Sequence, residues 1–150
     1  MISREEYLTM YHVVGAIIDV FNELGRGMEE PIYQESLEME LNNRNIPFER
    51  EKPLHLKYKG QVLKKTYFAD FYSQGIMIEL KSVERLCSEH RAQLFNYMRI
   101  SQTCKGLLVN FGERSLRVER YLYDRDRDDF ILLSKSNLNK YVETKENISD

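Results

Sequence analysis

The sequence has few of the features that mark secreted, disulfide-bonded or membrane proteins. Its two cysteines in 150 residues, Cys87 and Cys104, could pair but are more simply explained as reduced cytosolic thiols. The longest apolar stretch, Val13 to Val20, is interrupted by a glycine and an aspartate and is far too short to span a bilayer. No basic segment followed by an apolar one opens the chain, so we expect no export signal, no membrane partner and a cytoplasmic location.

Several common site motifs are missing as well. Cys87 and His90 have the spacing of metal ligands, but Cys104 is the only other cysteine, so no tetrahedral zinc set is evident. The segment Gly25 to Gly27 is too short for a phosphate-binding loop and follows a predicted helix instead of a strand. No serine motif predicts a hydrolase nucleophile elbow.

Charge is unevenly distributed along the chain, although the net charge is only −2. Residues 1–46 carry 3 basic and 9 acidic side chains, and residues 124–150 carry 5 basic and 7 acidic ones. Residues 47–123 instead carry 14 basic and 8 acidic side chains, a surplus of +6. A positive segment of this kind suits a polyanionic partner such as nucleic acid. Solvated strand faces would produce the same composition.

Hydrophobic periodicity predicts both helices and strands. A capping box at Ser3 and Glu6 begins the first helix, and Gly25 to Gly27 ends it. The other predicted elements are a helix at 30–43, strands at 48–58, 61–72 and 76–81, a helix at 88–101, and strands at 106–111 and 116–121.

This order, ααβββαββ, predicts a fold of the α/β (α+β) class, in which a mixed central sheet is flanked by helices. Residues 1–123 form the predicted domain, and the segment from residue 76 to residue 111 is expected to be a parallel crossover. Residues 124–150 are predicted to be a polar C-terminal tail that is partly mobile. Within it, Phe130 to Leu133 docks either on the domain or on a partner.

The most informative segment is the predicted hairpin around Gln74-Gly75. A two-residue loop pairs the flanking strands so that Asp70 lies opposite Glu79, with Lys81 on the same face as Glu79. A four-residue loop keeps this register, whereas a three-residue loop places the two carboxylates on opposite faces. Two like charges on one face are destabilising unless a cation lies between them. The hairpin therefore predicts a cation site.

Asp70 followed by Glu79-Leu80-Lys81 on consecutive strands resembles the PD-(D/E)XK nuclease superfamily, with Ala69 where that motif has proline. Gly27, Glu30 and Tyr33 resemble the motif that names the GxxExxY family of small proteins within it. The resemblance extends over roughly residues 8–121, and it implies a restriction-endonuclease-like core. Segments 67–70, 78–81, 92–97 and 107–112 also fit it.

The resemblance implies a role for each acid and for the lysine. Asp70 and Glu79 would bind Mg²⁺, with Mn²⁺ able to substitute, and the Leu80 carbonyl would add a third oxygen. Glu30 would add a ligand or orient a water, although its position at a helix start also stabilises the helix dipole. Lys81 would stabilise negative charge at the scissile phosphate, or else form a salt bridge with one of the acids.

The helix at 88–101 carries further candidates. Gln93 and Tyr97 share one face, and the resemblance implies that they orient the active site, Gln93 as a catalytic residue and Tyr97 as a substrate contact. His90 and Arg91 are further candidate substrate contacts. Alternatively, Tyr97 lies at the core boundary and Gln93 caps backbone groups.

These residues predict a metal-dependent nuclease that hydrolyses phosphodiester bonds, with DNA as the expected nucleic acid. The resemblance also implies a homodimer as one expected assembly, since small nucleases of this fold often dimerise to reach both strands. One alternative is a non-catalytic module that binds nucleic acid or protein on the same fold. Another is a hydrolase of a different phosphoester.

Overall fold

The computed structural model describes residues 1–144 and confirms the mixed sheet flanked by helices. The helices are α1 (Arg4–Leu24), α2 (Glu30–Asn43), α3 (Ser88–Ser101) and the short α4 (Leu138–Tyr141). The strands are β1 (Glu49–Tyr58), β2 (Gln61–Ser73), β3 (Ile76–Lys81), β4 (Lys105–Asn110), β5 (Arg117–Asp124) and β6 (Asp129–Leu132). None of the helices in the described part of the chain is long and apolar enough to cross a membrane.

The six strands form one sheet in chain order, from β1 at one edge to β6 at the other. Neighbouring strands are antiparallel except β3 and β4, which are parallel and are connected through α3. All six residues of β4 are buried, which agrees with the continuous apolar run in its sequence. The parallel pair therefore forms the centre of the sheet.

The two faces of the sheet pack against different helices because side chains alternate along each strand. On one face, Ile78 and Leu80 of β3 join the core formed with α1 and α2. On the other face, Met77 joins a second core that includes Leu94 and Met98 of α3. Glu79 has the parity of Met77, so the sequence places a carboxylate in the layer that α3 covers.

The helix ends follow the predicted signals. The Ser3 hydroxyl accepts a hydrogen bond from the Glu6 N–H at 3.0 Å, and the Glu6 carboxylate accepts one from the Ser3 N–H at 2.8 Å. Gly25 ends α1 with a φ of 73°, a backbone conformation that favours glycine. The capping box and the glycine stop thus set the length of α1.

The segment after residue 124 contributes to the fold beyond what its sequence indicated. Strand β6 pairs with β5, and Leu133 packs with Ile2, Leu122 and Val142 in a small cluster that joins the two ends of the described chain. Phe130 to Leu133 therefore docks on the domain. The expectation of a mobile end falls partly on residues 145–150, which lie outside the described residues.

Candidate active site

The turn at Gln74-Gly75 sets the register of the site. Both residues have positive φ values, 53° and 81°, as a two-residue type I′ hairpin loop requires. Ser73 consequently pairs with Ile76, and Phe71 pairs with Ile78. Of the three loop lengths that the sequence allowed, the two-residue loop forms, so the register places Asp70 next to Glu79.

The β2–β3 ladder stops one step before these acids, and their side chains take over its hydrogen bonds. The Asp70 N–H donates to Glu79 Oε1 at 3.0 Å. The Leu80 N–H donates to Asp70 Oδ2 at 2.8 Å. Because the N–H and C=O of a strand residue point to the same side, the Leu80 carbonyl also faces Asp70. Two carboxylates and one carbonyl thus converge where the strands separate.

Burial disfavours the charged forms of both acids, and the charge of Asp70 adds to this effect at Glu79. Glu79 is 2% exposed, and burial, followed by the charge of Asp70, raises its pKa well above the ordinary value. Burial also raises the pKa of Asp70, although the hydrogen bond from Leu80 opposes the change. Without a bound cation, the pair therefore tends to retain a proton, and Glu79 has the more strongly raised pKa.

Lys81 supplies the positive charge closest to this pair along the chain. It lies two residues beyond Glu79, on the same face of β3, and it is half-buried. Its charge lowers the pKa of Asp70 and of Glu79, but burial outweighs it in both cases. One lysine thus does not offset the loss of hydration at the buried Glu79 and the half-buried Asp70.

Helix α2 brings two more side chains to the acids. Glu30, its first residue, is half-buried, and burial followed by the charge of Asp70 raises its pKa. Gln34 lies one turn further along the helix, and its Nε2 donates to Asp70 Oδ1 at 3.1 Å. Gln34 was not predicted as a site residue, although its i+4 spacing from Glu30 places both side chains on one helix face.

The loop before α2 explains the spacing of Gly27, Glu30 and Tyr33. The buried Tyr33 hydroxyl donates to the Gly25 carbonyl at 2.6 Å and accepts the Met28 N–H at 3.0 Å. Gly27 has a φ of 82°, and its N–H donates to the Phe111 carbonyl at 3.1 Å. Glycine permits the turn, and tyrosine fixes it, so that Glu30 begins the helix on the side of Asp70.

Gln93 and Tyr97 of α3 lie beside the carboxylates. Gln93 Nε2 donates to the Tyr97 hydroxyl at 3.1 Å. Burial raises the pKa of Tyr97, and the charges of Glu79 and Asp70 raise it further. The structure therefore places Gln93 and Tyr97 near the carboxylates, and the Gln93 amide orients the Tyr97 hydroxyl.

His90 and Arg91, the other two candidates on α3, have partners elsewhere. The His90 Nδ1 accepts the Cys87 N–H at 3.1 Å, which closes a cap at the start of the helix. Arg91 forms a two-bond ion pair with Glu119 of β5, at 2.7 and 2.8 Å. The structure thus gives both side chains roles in the fold, and their proposed contact with substrate stays a prediction.

A clasp behind Lys81 fixes the end of β3. The buried Asn110 accepts the N–H groups of Val83 and Gly112 through Oδ1, at 3.0 and 3.1 Å, and its Nδ2 donates to the Val83 carbonyl at 2.9 Å. A Cβ at Gly112 would lie 2.1 Å from that carbonyl oxygen. We call Asn110, Gly112 and Val83 the clasp; the sequence analysis assigned it no role.

The donor set suits a hard divalent cation. Such ions are typically held by one or two carboxylates together with water and substrate oxygens, which matches Asp70, Glu79 and the Leu80 carbonyl. Within residues 1–144, no group of three His, Cys, Asp or Glu side chains lies in metal-binding positions. Glu30 is near enough to respond to Asp70 but does not complete a three-acid cluster in this conformation.

The domain has an α+β fold, and its mixed sheet with helices on both faces has the architecture of a restriction-endonuclease-like core. A family model described as the PD-(D/E)XK nuclease superfamily matches residues 8–121, which is more than half of the chain. The chain therefore belongs to the PD-(D/E)XK nuclease superfamily, as its resemblance indicated.

No curated protein matches this chain significantly. Among solved structures, the crystal structure of SSO0001 is similar to it, with 24% sequence identity and a TM-score of 0.48. The similarity covers 60% of this chain and 48% of the SSO0001 chain, so this chain corresponds to about half the length of that protein.

Proposed function

We propose that this protein is a metal-dependent nuclease that hydrolyses phosphodiester bonds of nucleic acid, with DNA as the expected substrate and Mg²⁺ or Mn²⁺ as cofactor. The observation that carries the proposal is the pair formed by the half-buried Asp70 and the buried Glu79, whose pKa values are both raised. Membership of the superfamily supports the reaction class. Buried carboxylates with shifted pKa values and a nearby cationic side chain are typical of functional sites.

In this proposal, Asp70, Glu79 and the Leu80 carbonyl hold the cation. When bound, a divalent cation supplies a Lewis acid for the scissile phosphate and a position for the attacking water. Gln34 keeps Asp70 in one orientation through its hydrogen bond. Glu30, at the edge of the site, accepts a hydrogen bond from the water that attacks phosphorus.

Lys81 stabilises the negative charge that develops on the phosphate during in-line attack. A preorganised donor of this kind contributes about 10²–10³ in rate. Gln93 acts through Tyr97, because its amide holds the phenol that lies near the acids. The phenol is therefore available to donate to a phosphate oxygen of the bound strand. His90 and Arg91 are further candidate contacts for the nucleic acid outside this centre.

We also propose that the chain belongs to the GxxExxY branch of the superfamily. The geometry of Gly27, Glu30 and Tyr33 supports this assignment, since each motif residue has a separate physical role. Glycine allows a positive φ, the glutamate begins α2 on the side of Asp70, and the buried tyrosine fixes the connecting loop.

A cleavage assay with matched variants tests the proposal. Single- and double-stranded DNA and RNA are incubated with Mg²⁺ or Mn²⁺ and with wild type, Asp70→Asn or Lys81→Ala. We expect cleavage by wild type, background levels for Asp70→Asn, and a loss of about 10²–10³ for Lys81→Ala. Glu23→Gln, an exposed change on α1, is the control for acid-to-amide substitution.

Calorimetric titration with Mn²⁺ separates a catalytic from a non-catalytic role. Wild type should bind the ion, and Asp70→Asn should bind it much more weakly. Equal cleavage by wild type and both variants would reject the active-site assignment. Absence of both cleavage and Mn²⁺ binding would favour the non-catalytic module instead.

A further inference from the structure

The β1–β2 hairpin extends beyond the body of the domain. All residues from 55 to 65 are exposed, although they alternate between the two faces of the strands. The exposed residues include Leu56, Tyr58 and Val62, at 40%, 64% and 57%. Because neither face is covered, this part of the hairpin forms a two-sided arm. We call residues 55–65 the arm.

The arm is basic, and its lysines have no acidic partners among the residues that the structure describes. Residues 52–69 contain five lysines and no aspartate or glutamate. Four of these lysines lie in the arm, namely Lys57, Lys59, Lys64 and Lys65, and within residues 1–144 none of the four forms an ion pair. Charge of one sign without compensation favours a polyanionic partner over an apolar one.

A groove of about 840 Å³ lies between the arm and α3. Leu56, Lys65 and Tyr67 line it from the hairpin, and Gln93, Tyr97 and Arg99 line it from the helix. Its volume is within the range of roughly 300–1,000 Å³ that holds small-molecule-sized groups such as nucleotides. The groove therefore has room for a flexible strand but is closed on two sides by protein.

The groove combines two aromatic rings with a lysine side chain, Lys65, that forms no ion pair within residues 1–144. The rings of Tyr67 and Tyr97 have their centroids 6.0 Å apart, and Lys65 Nζ lies 5.5 Å from the centre of the Tyr67 ring. Arg99 is less available, since Asp128 pairs with it at 2.9 Å. Lys65 is thus the principal positive charge that the groove offers to a phosphate, and Glu89 is an acid in its lining.

The groove leads to the candidate active site through residues that belong to both. Gln93 and Tyr97 line the groove, and the Tyr97 hydroxyl accepts a hydrogen bond from Gln93 at 3.1 Å. Tyr97 also packs in the same buried cluster as Ala69, which adjoins Asp70, and Met77, which lies two residues before Glu79. A strand lying in the groove would therefore bring its backbone to the carboxylates.

From this arrangement we propose that the groove binds an unpaired segment of nucleic acid, with a base stacked on Tyr67 and a phosphate on Lys65, next to the carboxylate pair. This inference rests on the proposed nuclease function for the substrate class and adds the strandedness. Aromatic side chains in a basic groove bind single strands because each unpaired base offers a face for stacking. In a duplex, neighbouring base pairs already cover those faces.

Binding measured without divalent metal tests the groove separately from catalysis. A fluorescent 15-nucleotide oligothymidylate and a 15-base-pair duplex are titrated in EDTA, with fluorescence anisotropy as the readout. We expect wild type to bind the single strand more tightly than the duplex. Tyr67→Leu, which keeps an apolar side chain against Tyr97, should weaken single-strand binding about ten-fold. Lys65→Ala should weaken it too and reduce the salt slope by about 0.7.

Two exposed residues away from the groove provide matched controls. Tyr11→Leu on α1 and Lys135→Ala after β6 change the same residue types, and both should bind like wild type. Circular dichroism and thermal melting establish that each variant is folded. Because Lys65 is exposed, Lys65→Ala keeps the test decisive even if Tyr67→Leu perturbs the hairpin.

The outcomes separate this inference from the proposed function. If wild type cleaves DNA but Tyr67→Leu and Lys65→Ala bind and cleave as it does, the groove assignment is overturned and the nuclease function stands. Equal affinity for single strand and duplex in wild type would also overturn it. If no cleavage occurs but both variants lose single-strand binding, the groove assignment stands and the nuclease function fails.

Discussion

Glu79 and Glu119 lie in the same row of the sheet, because each pairs with Leu108 from opposite sides. Both are buried, at 2% and 5% exposure. The pKa of Glu119 is lowered, chiefly by its hydrogen bonds from Arg91. The pKa of Glu79 is raised well above the ordinary value, by burial and by Asp70.

The difference between the two glutamates lies in their partners. Glu119 accepts two hydrogen bonds from Arg91 and one from the Tyr121 hydroxyl at 2.7 Å. The same contact contributes to raising the pKa of Tyr121 to about 12. Burial by itself therefore does not make an acid a candidate for a functional site; a buried acid whose ionisable partner is another acid is the stronger candidate.

Replacing each glutamate with glutamine should separate the two roles most clearly. Under the proposed function, Glu79→Gln should reduce metal-dependent cleavage by about 100-fold or more, because the cation that would stabilise the developing charge loses one of its ligands. Glu119→Gln should leave cleavage close to that of wild type at a temperature where both variants are folded. A nuclease assay with Mn²⁺ measures both, and comparable losses in the two variants would contradict the division.

Removing Arg91 should take the principal positive partner from the buried carboxylate of Glu119. Breaking a fully buried pair costs about 3–5 kcal/mol. The Arg91 side chain is 34% exposed, so we expect Arg91→Met to lower the free energy of unfolding by about 2–3 kcal/mol. Urea denaturation measures this change.

Arg117→Met is the matched control for that experiment. Arg117 lies 3.6 Å from Glu119, and its side chain is 51% exposed. Its removal should cost less than about 1 kcal/mol. A cost for Arg91→Met no larger than for Arg117→Met would show that the two-bond pair does not stabilise Glu119.

Mn²⁺ should stabilise the protein only where Glu79 is intact. At ten times the dissociation constant, an ion that binds the folded state alone adds about 1.4 kcal/mol. Differential scanning fluorimetry should show an upward shift in Tm for wild type and Glu119→Gln but none for Glu79→Gln. An equal shift in all three proteins would place the ion elsewhere.

The pH dependence of stability should have opposite signs for the two variants in EDTA. Folded Glu79 binds its proton above the ordinary pKa of 4.5, so raising the pH above that value removes stability from wild type. Folded Glu119 releases its proton below 4.5, so its contribution is present above that value and lost on acidification.

Relative to wild type, Glu79→Gln should therefore gain stability as the pH rises above 4.5, and Glu119→Gln should gain it as the pH falls below 4.5. We expect differences on the order of 1 kcal/mol. Urea denaturation between about pH 3 and pH 7 follows both curves. Parallel curves for the two variants would refute the assignment of opposite pKa changes.

The position of Glu79 beside Asp70 could be predicted from the sequence, whereas the ion pair of Glu119 could not. Gln74-Gly75 and the period of a strand are local signals, and they predict the register that brings Asp70 to Glu79. The pair of Arg91 and Glu119 joins α3 to β5 across 28 residues. No local periodicity encodes that distance, so Arg91 was interpreted as a substrate contact.

Other parts of the molecule show the same limit. The charged run from Asp124 to Asp129 hides the turn between β5 and β6, because β6 is specified by pairing with its neighbour and by few residues of its own. Gln34 was missed because a glutamine on a helix face carries no signal until Asp70 is known to lie opposite. The fold class and the positions of the two acids could be predicted from the sequence. The contacts of Gln34 and Arg91 become visible only in the tertiary structure.

The clasp of Asn110, Gly112 and Val83 has a consequence for how the protein accommodates substrate. Two hydrogen bonds join Asn110 to Val83, a third joins it to Gly112, and no space is left for a methyl group at Gly112. The segment that follows Lys81 is therefore held in one position. Under the proposed function, adjustment to nucleic acids of different shape would fall to the exposed, lysine-rich arm, and engineered changes of preference would begin there.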